Sequence, residues 1–123
     1  YELVIVEGAG GIMVPVYKKY LFLDLIRDLN IPVIVVARPG LGTVNHTLMT
    51  IAAARSNGLE VLGVVINESM KTRKGLPEKT NPGLIEQLGG VPVLGNVNYS
   101  AARDRSVKKE IQKIGNKLLS SYV

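Results

Sequence analysis

Three short stretches of this chain carry residue types that could do chemistry. In the first, Glu7 stands behind an apolar run and ahead of a glycine cluster, Leu3-Val4-Ile5-Val6-Glu7-Gly8-Ala9-Gly10-Gly11. A carboxylate is a hard oxygen ligand, suited to Mg²⁺ that arrives on nucleotide phosphates. The glycines let the backbone turn sharply and let a ligand come close. The same residues also describe a plain strand and a glycine turn with a solvated Glu7, and so short a motif leaves both readings standing. The second stretch is Arg38-Pro39-Gly40-Leu41-Gly42-Thr43-Val44-Asn45. Its glycines lead into the amino end of a helix, where unpaired N–H groups and the helix dipole can seat a carboxylate or phosphate. A tight turn capped by Thr43 or Asn45 is the alternative. The third is Asn67, with Glu68 beside it. An amide both donates and accepts, which suits a purine edge and equally suits a turn. His46, the sole histidine, has no evident carboxylate partner and reads as a packed or capping residue rather than a base.

These residues need elements that end where the stretches begin. The stretch from Tyr1 to Glu7, with its apolar run at 3–6, reads as a strand buried on both faces, the kind found in parallel sheets. Phe22, Leu25, Ile26 and Leu29 recur at helical spacing, and Asn30 can end that helix. Residues 32–37 form a second apolar strand, and 43–57 a helix starting at Thr43 as a possible N-cap and stopping at Gly58. Residues 61–66 form a third strand. The polar, basic stretch 68–80 reads as a long loop, broken by Gly75 and Pro77. Asn81-Pro82 then opens a helix that ends at Gly89-Gly90. A short fourth strand covers 91–94, and an amphipathic helix covers 104–119, with Val107, Ile111, Ile114, Leu118 and Leu119 apolar. Strands alternating with helices define an α/β fold, a parallel sheet with helices on its faces. Ligands of such sheets gather at the carboxyl ends of the strands. That predicts one shared rim made of residues 7–11, 38–45, 67–68 and 95–99.

The chain has 123 residues, 46% hydrophobic and 20% charged, which is enough for one domain with a core and too few for two. Residues 1–123 are therefore read as a single unit. Because Tyr1 falls inside the first strand, that unit is expected to be part of a longer protein. The net charge is +5, from 15 basic and 10 acidic residues. Much of the basic excess lies in Lys71, Arg73, Lys74 and Lys79, and from Arg103 to Lys117 at the spacing of a solvated helix face. With 5% aromatic residues and no Trp, no stacking platform is interleaved with them, so nucleic acid is not the expected partner. No apolar stretch reaches the roughly 20 residues of a membrane span, and no signal-peptide pattern is visible. The absence of cysteine removes disulfides and thiolate metal sites. A cytoplasmic protein without a membrane partner is the expectation.

Several familiar motifs fail. There is no Gly-x-x-x-x-Gly-Lys-Ser/Thr loop, and Met13 stands where a dinucleotide fingerprint needs its third glycine. There is no nucleophile elbow, metal-binding His pair or pair of catalytic carboxylates.

Taken together, Val6-Glu7-Gly8-Ala9-Gly10-Gly11 with Pro15, Asp24-Leu25, and Pro32-Val33-Ile34-Val35-Val36 resemble dethiobiotin synthetase. So do Arg38-Pro39-Gly40-Leu41-Gly42-Thr43-Val44-Asn45-His46-Thr47, Gly63-Val64-Val65-Ile66-Asn67 and Val91-Pro92-Val93-Leu94-Gly95. The resemblance is to the carboxyl-terminal portion of that family. It implies a P-loop NTPase-like fold, of which this chain holds a part. The phosphate-binding loop and the catalytic lysine are expected in the other half, so no catalytic residue is assigned here.

The resemblance implies ATP with Mg²⁺, the substrates 7,8-diaminononanoate and CO₂, and a homodimer that closes a ureido ring. On this pattern Glu7 helps bind Mg²⁺ and Gly8, Ala9 and Gly10 lie along the phosphates. Asn67 and Glu68 meet the nucleotide, Asn67 at adenine, and Val97, Asn98 and Tyr99 border it. Gly42, Thr43, Val44 and Asn45 hold the substrate carboxylate across the dimer interface. The family often has Pro where Asn98 stands. This chain alone is expected to be inactive. The other readings are a related amidoligase of the cobyrinic acid synthetase kind and a non-catalytic nucleotide-binding module.

Overall fold

The computed structural model describes residues 3–71, 75–100 and 104–122, with side chains to Ser120. A small antiparallel ribbon comes first, β1 (Pro15–Tyr17) and β2 (Tyr20–Leu21), and runs directly into α1 (Phe22–Leu29). The rest alternates: β3 (Val33–Ala37), α2 (Thr43–Ser56), β4 (Val61–Asn67), α3 (Leu76–Gly89), β5 (Val93–Val97) and α4 (Arg105–Tyr122). The three later strands form a parallel sheet in the order β3-β4-β5, and each crossover contains a helix.

Burial explains the order. Val35 and Ala37 of β3 lie opposite Val64 and Ile66 of β4, and these four pack with Ile51 of α2 and Ile85 of α3 in the main core. Ile85 and Val64 are 0% exposed. Truncating Ile85 to Ala would remove contacts worth about 2–5 kcal/mol. Arg55 ties the two helices further, donating to the carbonyls of Gly89 (2.7 Å) and Gly90 (2.9 Å) at the end of α3. On the opposite face Val36, Val65 and Gly95 stand side by side. There α4 covers only the β5 side: a Cβ on Gly95 would sit 2.8 Å from Cγ1 of Ile114. Glycine is what lets α4 come so close. Among the described residues nothing covers the β3 side, and Val36 is 64% exposed.

The α/β fold, the parallel sheet and its alternating helices are as the sequence pattern predicts. Four details differ. Residues 3–7 are not a strand, and Leu3, Val4, Ile5 and Val6 are all exposed, Ile5 by 84%. A strand is held by its neighbours and by what covers its faces, and nothing among the described residues covers this one. Helix α3 starts at Leu76 rather than at Asn81-Pro82, so Pro82 lies inside it. Its first turn has Pro77 and Glu78, whose carboxylate accepts the Gly75 N–H at 2.7 Å. Gly42, with φ +85°, is the N-cap of α2, and Thr43 is already helical and buried. Strand β5 runs to Val97, so Gly95 and Asn96 belong to the strand and not to the rim. The β1–β2 ribbon carries no Asn-Gly signal; its turn uses Lys18 at φ +52°.

Of the expected basic cluster, Arg73, Lys74 and Arg103 lie outside the described residues, as does Tyr1 of the expected first strand. No helix among the described residues is long and apolar enough to cross a membrane.

Candidate nucleotide and substrate site

The carboxyl ends of β4 and β5 bring five of the candidate residues into one place. Asn67, the last residue of β4, is in register with Val97, the last of β5. Glu68 extends the ladder one step, its N–H donating to the Val97 carbonyl at 2.9 Å. Its carboxylate then accepts the Tyr99 N–H at 3.2 Å, closing a loop between the two strand ends. Asn98, between them, donates both its backbone N–H (2.9 Å) and its amide (2.6 Å) to the carboxylate of Glu110 on α4. Asn67 and Tyr99 remain exposed, Tyr99 by 41%. A polar amide beside a tethered turn with an aromatic ring is an arrangement able to hold a purine.

The turn between β3 and α2 is built separately. The Thr43 N–H donates to Gly40 O at 3.3 Å and the His46 N–H to Gly42 O at 3.1 Å, so the chain tightens into the helix through Gly42. No side chain caps α2. No side chain therefore competes for the N–H groups of Val44 and Asn45, which follow the carboxyl end of β3, where an anion can be seated. From beneath, the Asn81 amide donates to the carbonyls of Pro39 (2.9 Å) and Gly40 (3.2 Å). Asn81 is only 8% exposed, so a buried polar side chain on α3 fixes this turn. Thr43 is 2% exposed and Asn45 is exposed, while Val44 packs against the main core.

Glu7 and the glycines after it do not stand at a strand end. Residues 3–8 have no regular secondary structure and lie outside the sheet, with Glu7 exposed, and a bend begins at Ala9 and Gly10. Gly8 passes over the Phe22 ring, where a Cβ would lie 3.2 Å from Cδ1. Of the four predicted rim segments, then, the described structure seats three on strand ends and leaves the fourth beside α1. Among the described residues no group of three or more His, Cys, Asp or Glu could hold a metal alone. A lone carboxylate nevertheless fits a Mg²⁺ that comes with a nucleotide, because Mg²⁺ keeps its waters and takes one or two carboxylates besides the phosphates.

The sequence pattern placed Asn67, Glu68 and the 97–99 turn at the ends of apolar strands, where the fold has them. It did not find Glu110 or Asn81. Glu110 is one more charge on an amphipathic helix, and Asn81 sits beside a proline that mimics a helix start. Only the fold brings them to the strand ends.

A parallel sheet with helical crossovers and polar turns at its carboxyl edge defines an α/β class of fold whose ligands gather at that edge. The chain belongs to the AAA domain family, whose model matches residues 1–106. Its relatives are more particular. It is 53% identical to the ATP-dependent dethiobiotin synthetase of Bacillus velezensis over 95 residues, covering 77% of this chain and 40% of that protein. It is 50% identical over 95 residues to the protein of that name from Bacillus subtilis strain 168, covering 77% of this chain and 41% of the relative. The Thermodesulfovibrio yellowstonii dethiobiotin synthetase is 43% identical over 106 residues, covering 80% of this chain and 44% of its own length. The chain thus spans less than half the length of the relatives it matches.

Proposed function

We propose that the protein carrying this chain is an ATP- and Mg²⁺-dependent ligase that closes the ureido ring of dethiobiotin, a step of biotin biosynthesis. The single observation behind this reading is the 43–53% identity to proteins named ATP-dependent dethiobiotin synthetase over more than three quarters of the chain. The geometry of the β4 and β5 ends supports a nucleotide there. In the reaction one amine of 7,8-diaminononanoate adds to CO₂ to give a carbamate. ATP phosphorylates the carbamate oxygen and leaves as ADP. The second amine then attacks the carbonyl carbon and expels phosphate, closing the ring. In such transfers catalysis is mostly positioning and charge stabilisation.

In this reading Asn67 meets the adenine, with Glu68, Val97, Asn98 and Tyr99 around it, and Gly8, Ala9 and Gly10 run along the phosphates. Glu7 supplies one oxygen to the nucleotide's Mg²⁺, which offsets phosphate charge when bound. Residues 42–45 hold the substrate carboxylate through backbone N–H groups, across a homodimer interface. Residues 1–123 form one α/β unit, the carboxyl-terminal part of a larger P-loop-type domain in a cytoplasmic enzyme. The exposed apolar side chains of residues 3–6, Ile34 and Val36 support that larger domain.

The test is ADP release by the protein carrying this chain, assayed with ATP and Mg²⁺. Release should require both the diamine and CO₂, and this chain by itself should release none. Release that follows an amide-nitrogen donor and a carboxylate acceptor instead would point to an amidoligase. No release under any combination would leave only a binding module.

A further inference from the structure

We propose that Glu110 is a positioning residue for the nucleotide, holding the 97–99 turn so that its outer side meets the base. The inference rests on the nucleotide reading above and extends it to a residue in the middle of a helix whose neighbours Lys108, Lys109, Ile111 and Gln112 are all exposed. Glu110 is instead partly buried, and both its carboxylate oxygens are committed to Asn98, at 2.9 Å from the backbone N and 2.6 Å from the amide N. A charge-assisted bidentate contact fixes direction as well as distance. Here it fixes the residue at the centre of the turn. Glu68 holds the next residue, accepting the Tyr99 N–H, and donates its own N–H to Val97 O. Two carboxylates thus hold Asn98 and Tyr99, and the Glu68 backbone N–H holds Val97.

This is more than α4 needs in order to dock. The helix is already seated by Ile114 against Gly95, one turn further along. The Glu110 contact adds nothing to that apolar packing. What it does restrain is Asn98, the centre of a strand-end turn whose two flanking residues are held by Glu68. A binding site loses affinity when a supporting contact is removed even if every residue that touches the ligand remains.

The experiment measures the ATP Kd, the KM for the diamine and the Tm in the full protein carrying this chain. The variants are Glu110→Ala, Glu110→Gln, Asn67→Ala and, as control, Lys109→Ala. Glu110→Ala should raise the ATP Kd about tenfold, the effect of losing one charge-assisted contact. The diamine KM should stay within about twofold of wild type and Lys109→Ala should change nothing. Glu110→Gln keeps one acceptor oxygen but turns an NH₂ toward a second donor, so its Kd should lie between the two; it stands in if the alanine variant does not fold. An ATP Kd unchanged in both Glu110 variants, with only Tm lowered, would overturn the proposal while Asn67→Ala still weakens ATP. Equal losses for ATP and the diamine would overturn it too, as general disruption. An ATP Kd that ignores both Asn67→Ala and Glu110→Ala would instead show that no nucleotide sits at this edge.

Discussion

Residues 7 and 42 test opposite halves of the proposed site. A Gln at position 7 keeps size and polarity but cannot balance a metal's charge. Glu7→Gln should therefore lower apparent Mg²⁺ affinity in ATP turnover by about tenfold or more, the scale seen when groups supporting a bound metal are lost. A titration of turnover against Mg²⁺ checks this, and unchanged activity at limiting Mg²⁺ would contradict it. At position 42 the backbone is left-handed, φ +85°, which a β-branched side chain adopts only at a cost of about 1–2 kcal/mol. Gly42→Val should raise the KM for the diamine strongly, by distorting the first turn of α2, and leave the ATP Kd within about twofold. Thr43→Ala is expected to act differently. Because Gly42 and not Thr43 caps the helix, the loss is one of buried contact, about 1 kcal/mol, with the cap intact. Equal changes in KM and Kd for Gly42→Val, with the fold retained, would make this turn a structural connection only.

At the scale of elements, α4 offers a test through pH. Asp104 precedes its first turn and accepts the Ser106 N–H at 3.2 Å. That bond, to a carboxylate, lowers the Asp104 pKa below its ordinary value of 3.8. A depressed native pKa means the ionised form is favoured by folding. Its stabilisation is present above the unfolded value and is lost as pH falls through the native one. The Tm difference between wild type and Asp104→Ala should therefore be seen near neutral pH and shrink as pH drops below 3.8. A difference that does not change with pH would remove the charge from the explanation.

The elements also show how far local pattern reaches. The strands at 33–37 and 61–67 and the helices α1, α2 and α4 were legible because apolar periodicity and glycine stops are local properties. The start of α3 was missed because Asn81-Pro82 copies a helix start, while Gly75-Leu76-Pro77-Glu78, further upstream, is where the cap forms. Residues 3–7 have the composition of a buried strand, yet composition records what a segment needs and not whether a neighbour is there to supply it. In the site, Asn67 and residues 97–99 were legible from their place after strands. Glu110 and Asn81 were not, since their bonds join residues 12 and up to 42 positions apart.

For the whole molecule, one sheet face is closed by α2 and α3, and among the described residues the other is covered by α4 beside β5. The relatives it matches are more than twice as long as the matched segment. On our account this segment contributes the base side of the nucleotide site and the carboxylate seat, and the complete protein does the chemistry. The most direct measurement supplies the complete protein with ATP, Mg²⁺, 7,8-diaminononanoate and carbon-13 bicarbonate, and follows the product by mass spectrometry against ADP. The account predicts dethiobiotin with the label in its ureido carbon, formed one for one with ADP and absent when either ATP or the diamine is omitted. ADP formed without labelled dethiobiotin, or a labelled product formed without ATP, would contradict it.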